Sequence, residues 1–367
     1  MMRHIIKRLL AAIVLPLVVL LSGCNSEGVF SDPSAVLMEI VVTPETVRVA
    51  RGQTQQLTAM AVYSDGTSID VSDTVTWMPV DEATTTVTPA GLLTGVEVGG
   101  TTVTALKDGF ASHTVDVDVT DAVITGITVV PEYVGVVKGR TQPITVTLTY
   151  SDNTSTDVSD SLTWLLDTSI AAVNPTNVLS GVEVAGVEVG TTTLTVMKDG
   201  IISNPVEVNV CSDLAGPCID VFVDTKTYSF KGGLLLYTSS PSVAYLDRLG
   251  GSVNGGTFSE TGDKGPVGDF YLFSWNEEVE SLCDLYNTQK LAGLSEWYIA
   301  TADEIGTLTN RLSNNVYAIR GWPTGTNYVH SASRGSRSSA EYDLNQGIYL
   351  SANPVVPLYV TCTATIF

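Results

Sequence analysis

Tyr63-Ser-Asp-Gly-Thr-Ser-Ile-Asp-Val-Ser-Asp-Thr-Val-Thr-Trp77 returns as Tyr150-Ser-Asp-Asn-Thr-Ser-Thr-Asp-Val-Ser-Asp-Ser-Leu-Thr-Trp164, 87 residues later. The match extends outward at the same spacing. Val-Thr-Pro44 becomes Val-Val-Pro131, and Gly52 becomes Gly139. Lys107-Asp-Gly109 matches Lys198-Asp-Gly200 at a spacing of 91. The second copy therefore carries about four extra residues, expected near Val184 to Val187, where Gly-Val-Glu-Val is partly duplicated. Length tolerance of that kind marks a loop at the end of a β-structure. Self-similarity at a fixed spacing decides the architecture of the middle of the chain.

Inside each copy the hydrophobic period is two. Ile144, Val146 and Leu148 alternate with Thr145, Thr147 and Thr149, and Val103 and Ala105 alternate with Thr102 and Thr104. Such runs are half-buried antiparallel strands, and Asp65-Gly66, Pro89-Ala-Gly91 and Asp108-Gly109 supply turns between them. Each copy holds roughly seven short strands, the count of an Ig-like sandwich. Trp77 and Trp164 are the expected aromatic fillers of the two cores. Neither copy contains a cysteine, so neither has an inter-sheet disulfide. Residues 37–120 and 123–210 resemble the bacterial Ig-like modules of intimin- and invasin-like surface proteins. The resemblance rests on the leading strands that end at Pro44 and Pro131, on Val-Thr-Trp77 and Leu-Thr-Trp164, and on the Gly-Thr-Thr segments at Gly100 and Gly190. In that family such modules act mainly as spacers.

From Cys211 the repeat stops, aromatics rise and helical spacing appears. Ser274-x-x-Glu277 reads as a capping box before Val279, Leu282, Cys283 and Tyr286, with Gly293 as the C-cap. Thr301-x-x-Glu304 reads as a second box before Ile305, Leu308 and Leu312. These glutamates are expected to cap helices and not to catalyse. Residues 211–367 resemble the C-type-lectin-like domain that ends related bacterial surface proteins. The matching features are Ser-Pro-Ser-Val-Ala-Tyr-Leu246, Gly-Asp-Phe270-Tyr271, the cysteine-bearing first helix, Glu296-Trp297, Arg320-Gly-Trp322-Pro323 and the late Cys362. Departures stand at Trp297-Tyr298-Ile299 and at Tyr328-Val329-His330-Ser331, the second where ligand-facing loops are expected. The predicted fold is mainly β: two tandem Ig-like β-sandwiches followed by an α+β C-type-lectin-like domain.

The start of the chain reads as an export signal. Arg3, Lys7 and Arg8 precede an uncharged stretch from Leu9 to Leu21, about a signal-peptide core in length. Leu21-Ser22-Gly23-Cys24 resembles the bacterial lipobox. It implies cleavage after residue 23, lipidation at Cys24, and a polar tether over 24–36. Asn25 resembles an outer-membrane sorting signal. Five cysteines less the lipidated one leave four, and an exported chain is expected to pair them. Four cysteines allow three pairings. The expected bonds are Cys211–Cys218, across the turn-prone Ser-Asp-Leu-Ala-Gly-Pro, and Cys283–Cys362. The second would restrict the unfolded chain by about 4 kcal/mol. The lectin-like resemblance implies it independently, as a bond from first helix to last strand.

Charge excludes one class of partner. The net charge is −21, or −24 once Arg3, Lys7 and Arg8 are removed. Such a surface repels nucleic acid. His113 and His330 fall in different predicted domains, so no paired-imidazole metal site is expected. His330 with its neighbouring serines and Asp343 lacks a nucleophile elbow. Formylglycine-generating enzymes share the lectin-like fold and act through reduced cysteines, whereas these cysteines are placed structurally. No enzyme activity and no cofactor are expected. Calcium suits the acidity but has no motif: the Glu-Pro-Asn and Trp-Asn-Asp signatures are absent, and Ala352-Asn353-Pro354 is at best a remnant. Asp65, Asp70, Asp73 and their repeats Asp152, Asp157 and Asp160 are expected to form turns. Trp322, Tyr328, His330, Arg334, Arg337 and Tyr342 form the candidate ligand-binding set, because aromatics and arginines anchor binding surfaces. The expected protein is a lipid-anchored outer-membrane lipoprotein at the cell surface. There it acts as an adhesin with a host-cell, matrix or glycan ligand. The alternative is a structural envelope lipoprotein with no external ligand.

Overall fold

Strand Val115–Thr120 shows why the sandwiches form: Val115, Val117 and Val119 are buried while Asp116 and Asp118 face water. The computed structural model describes residues 35–157, 161–175, 182–228, 233–275, 277–331, 338–351 and 356–366. The signal segment, Cys24, Asp160, Arg334, Arg337 and Asn353-Pro354 lie outside the described residues.

In the first sandwich, Leu37–Thr43, Thr58–Tyr63 and Ser68–Asp70 form one layer. Opposite them lie Gly99–Lys107, Val115–Thr120 and Thr46–Ala50, the last pair running parallel. Trp77 is buried between the layers, and its Nε1 donates to the Ser72 carbonyl at 3.0 Å. That bond ties the Asp70–Asp73 turn to the core. The second sandwich repeats the plan, with Tyr133–Val137 pairing in parallel to Val206–Cys211. Trp164 is half-buried against its core. Both Lys-Asp-Gly turns place two residues at positive φ: Asp108 at 50° and Gly109 at 86°, Asp199 at 50° and Gly200 at 81°. A two-residue turn of that hand matches strand twist, and Asp-Gly tolerates it. The length difference between copies corrects the sequence expectation. Gly186 already accepts from the Gly139 N–H as Gly95 does from Gly52. Val184 is buried in strand Val182–Gly186. The extra residues therefore fall between Pro175 and Val182, where the two flanking strands still pair.

The third unit is built on a sheet ordered Val221–Tyr228, Leu234–Thr238, Cys362–Ile366, Tyr298–Ile299. Helix α1 spans Val243–Arg248, α2 Glu277–Thr288, α3 Ala302–Arg311 and α4 Val316–Arg320. A second sheet is ordered Ile348–Ser351, Ser339–Asp343, Tyr328–Ser331, Tyr359–Val360. Helix α2 buries Val279, Leu282, Cys283 and Tyr286, the face its spacing predicts. The Ser274 N–H donates to Glu278 Oε2 at 2.5 Å, and the side chain of Glu277, the acid of the predicted box, lies outside what the structure describes. The box at α3 forms as read: the Thr301 N–H donates to Glu304 Oε2 at 2.8 Å, and the Glu304 N–H to Thr301 Oγ1 at 3.4 Å. Gly293 closes a short 3-10 turn after α2 and not α2 itself. Both expected disulfides are present, Cys211–Cys218 and Cys283–Cys362, with Cα atoms 6.1 and 5.8 Å apart.

Replacing Cys283 and Cys362 together by Ala is expected to lower stability by about 3–5 kcal/mol. Removing Cys211–Cys218, which closes a far shorter loop, should cost less. Thermal unfolding of both variants, with the wild type in reductant as control, checks the order.

Candidate functional site

Four of the residues expected to bind ligand are interior. Trp322, Tyr328 and His330 are fully buried, and Tyr342 nearly so. Sheet pairing causes this. Tyr328 faces Tyr342 on one side and Tyr359 on the other, and Tyr342 faces Tyr349, so a row of four tyrosines crosses the second sheet. Only Tyr349, on the edge strand, reaches water. The Tyr328 hydroxyl donates to the Pro323 carbonyl at 2.8 Å, and that of Tyr342 to the Gly347 carbonyl at 2.9 Å. His330 lies against the Tyr342 and Tyr349 rings, with Nδ1 at 3.0 Å from the Ser331 carbonyl. Burial holds its imidazole below the ordinary value, opposed by that hydrogen bond. These four side chains form part of a core, and Arg334 and Arg337 lie outside the described residues.

The acidic turns behave as turn formers. Asp65 accepts from the Thr67 amide at 2.9 Å and hydroxyl at 2.7 Å, and Asp152 does the same with Thr154 at 3.0 and 2.6 Å. These bonds lower both carboxyl pKa values, those from the threonine hydroxyls most. Among the described residues no cluster of three His, Cys, Asp or Glu is placed to hold a metal.

The site that does emerge is the seam between the second sandwich and the C-terminal unit. The two copies of the module differ along the face that meets it. Thr46, Arg48 and Ala50 of the first copy become Tyr133, Gly135 and Val137, and Asp116, Asp118 and Thr120 become Glu207, Asn209 and Cys211. In the first copy the face is open, and Arg48 pairs with Asp118 in solvent. In the second, the Tyr133 hydroxyl donates to the Pro217 carbonyl and its ring packs 6.2 Å from Tyr245. Arg248 stacks over Tyr133 at 5.4 Å and pairs with Glu207. A Cβ on Gly135 would collide with the Pro217 carbonyl, so the close approach requires glycine.

At the centre of the seam sits Asp220, its side chain 1% exposed. Arg320 holds it by two bonds, Nε to Oδ2 at 2.7 Å and Nη2 to Oδ1 at 2.5 Å. Trp322 Nε1 donates to Oδ2 at 2.6 Å, and Arg140 of the sandwich places Nη1 2.8 Å from the same oxygen. Arg140 and Arg320 also line an open cleft of about 400 Å³ with Leu214, Pro266, Val267 and Tyr317. Sequence reasoning missed Asp220 and Arg140. A usable signal was there: Arg140 stands where the first copy carries Gln53.

Residues 38–117 and 123–204 match the bacterial Ig-like domain (group 2). Ice-binding protein 1 of Shewanella frigidimarina (strain NCIMB 400) is 34% identical over 272 residues, covering 69% of this chain. The chain spans only 30% of the length of that curated relative. Among solved structures, domains 4 and 5 of the S-layer protein SbsC align at 24% identity over 47% of this chain and 98% of theirs, with a TM-score of 0.24. The Yersinia pseudotuberculosis adhesin InvE aligns at 15% identity over 89% of this chain and 96% of its own, with a TM-score of 0.27.

Gly135→Arg restores the residue type of the open first copy. It is expected to leave the sandwich folded and to undock the C-terminal unit, at a cost of about 1–3 kcal/mol or more. A second thermal transition and a new protease cut near residues 204–212 would report it. His330 gives a pH effect. Its folded pKa is depressed, so the stability it contributes is complete above the unfolded value near 6.5 and declines as pH falls through it. His330→Phe should flatten the loss of Tm between pH 7 and pH 5, by at most about 1.4 kcal/mol per pH unit.

Proposed function

We propose that this chain is a lipid-anchored bacterial surface protein of adhesin type, in which Ig-like modules carry a C-type-lectin-like binding unit outward from the outer membrane. The observation that carries the reading is the order of parts. Two modules of the bacterial Ig-like class are followed by a unit of different architecture, docked on the second of them. A spacer array has no need of such an end. The Cys24 lipobox supplies the anchor, and lipidation with several acyl chains would hold it firmly. Binding rather than catalysis suits the unit. Its cysteines are paired in disulfides, its histidine is buried, and its polar cluster is an ion-pair core.

A second reading concerns the ligand. The relative from Shewanella frigidimarina is named for ice binding, so ice is a candidate external surface for this chain too. In this reading the chain would hold its cell against a crystal face in place of a host or matrix surface.

A palmitate analogue should label the wild type and not Cys24→Ser, and protease added to intact cells should remove the C-terminal unit. An unlabelled wild type, or a C-terminal unit protected in intact cells and accessible only after lysis, would overturn the surface-anchor reading. Partition of the purified chain into slowly grown ice, against bovine serum albumin as a non-binder, separates the two ligand readings. Enrichment in the ice favours the second, and exclusion to the level of albumin removes it.

A further inference from the structure

The row of tyrosines across the second sheet of the C-terminal unit does not end in a core. It runs Tyr359, Tyr328, Tyr342, Tyr349, and the last ring stands on strand Ile348–Ser351, at the end of the sheet order. No strand among the described residues pairs with the outer side of that strand. Ile348, Tyr349 and Leu350 are 42%, 52% and 47% exposed, the one run of three consecutive large apolar residues left in water among the described residues. Exposed apolar side chains scattered singly are ordinary, whereas a run of them on an open sheet edge is a template for another strand. Edges are commonly guarded by charge, by proline or by a bulge. This strand carries no charge and no proline. It does carry a bulge: Tyr342 faces Tyr349 and Glu341 faces Ser351, so Leu350 is the extra residue. That residue is itself apolar and exposed, so the bulge adds to the apolar surface.

Charge decides what can cover this edge. The chain carries −21, so two copies repel over most of their surface. Residues 344–367 contain no Asp, Glu, Lys or Arg. The turn that leads into the strand lies against Asn314 at Gly347, and Ser313 and Asn315 beside it are uncharged too. The acids of the adjoining strand, Glu341 and Asp343, stand one strand in from the edge. Across a paired edge they would lie about 14 Å from their counterparts, three strand spacings and more than a Debye length at physiological salt. A twofold axis at Tyr349 sets the strand antiparallel to itself, with Tyr349 against Tyr349 and Ile348 against Leu350. Each of these pairings is apolar on apolar, and the tyrosine row runs on into the partner. We propose that strand Ile348–Ser351 is a homodimer interface, paired antiparallel with the same strand of a second copy of this chain. The proposal goes beyond the binding reading given above and does not rest on it.

The test is sedimentation equilibrium of the purified full chain, in detergent matched to the solvent density. The mass is expected to pass from one chain to two with a dissociation constant in the micromolar range. Ile348→Lys combined with Leu350→Lys places like charges across the axis and should weaken the dimer at least tenfold with Tm unchanged. Tyr349→Cys should give a disulfide-linked dimer on oxidation with copper phenanthroline, while Ile202→Cys, at an exposed position of the second sandwich, should not. A single-chain mass up to about 200 µM, a dimer unaffected by the paired lysines, or cross-linking at Tyr349→Cys no greater than at Ile202→Cys would each overturn the proposal. If the paired lysines lower Tm, the cross-link decides. Failure here leaves the cell-surface reading standing, and failure of the lipid-labelling or protease experiment leaves this one untouched.

Discussion

One buried carboxylate is the point at which three parts of the C-terminal half meet. Asp220 is removed from water, and an ion in that position costs several kcal/mol unless hydrogen bonds and opposite charge replace its hydration. Its partners come from three places: Arg140 on the second sandwich, Arg320 at the end of α4, and Trp322 two residues beyond. Gly321, in the left-handed region at φ 66°, is what lets the chain turn between the last two. The position of Trp322, the largest fully buried side chain of the unit, is therefore set by an interaction that also fixes the sandwich. Removing one partner of such a cluster strands the rest, which is why the cost of breaking it exceeds its net contribution.

The duplicated module shows how one backbone serves two purposes. Both copies keep the inward valines that alternate along Val115–Thr120 and Val206–Cys211. They also keep the serine that accepts from a strand amide at 2.9 Å, Ser112 in one and Ser203 in the other. Along these two strands change is confined to the outward residues. A strand's two faces are independent in sequence because successive side chains point opposite ways, so an outward Arg can become Gly with no effect on the core. Fold and docking are written on alternate residues of the same strands.

That separation explains what could be read from sequence. Strand alternation, Asp-Gly turns and the Thr301–Glu304 box are local, and a few neighbouring residues specify each. The burial of Trp322, Tyr328, His330 and Tyr342 is not local. Aromatics that fill a core and aromatics that anchor a ligand are the same residue types, and only cross-strand partners decide between them. Asp220 was illegible for the same reason: an isolated acid reads as surface, and its arginine lies 100 residues away. At α2 the structure adds a bond the Ser-x-x-Glu pattern does not contain, from the Ser274 N–H to Glu278, four residues on.

The two junctions of the chain are held by different physics. Between the sandwiches, Gly52 meets Ser151, and Arg51 pairs with Asp152 at 2.8 Å, the arginine side chain 42% exposed. Neither sandwich core contains a residue of the other. The Asp152 side chain is 10% exposed, so the pair is partly shielded and screened less than a surface pair. At the seam, by contrast, Val137 and Cys211 of the second sandwich belong to the same apolar cluster as Trp322 and Tyr359, and Tyr133 packs on the α2 core. Apolar burial is not screened by salt as an ion pair is, and it grows with area. The second sandwich and the C-terminal unit therefore share apolar core, while the contact between the two Ig-like modules is polar.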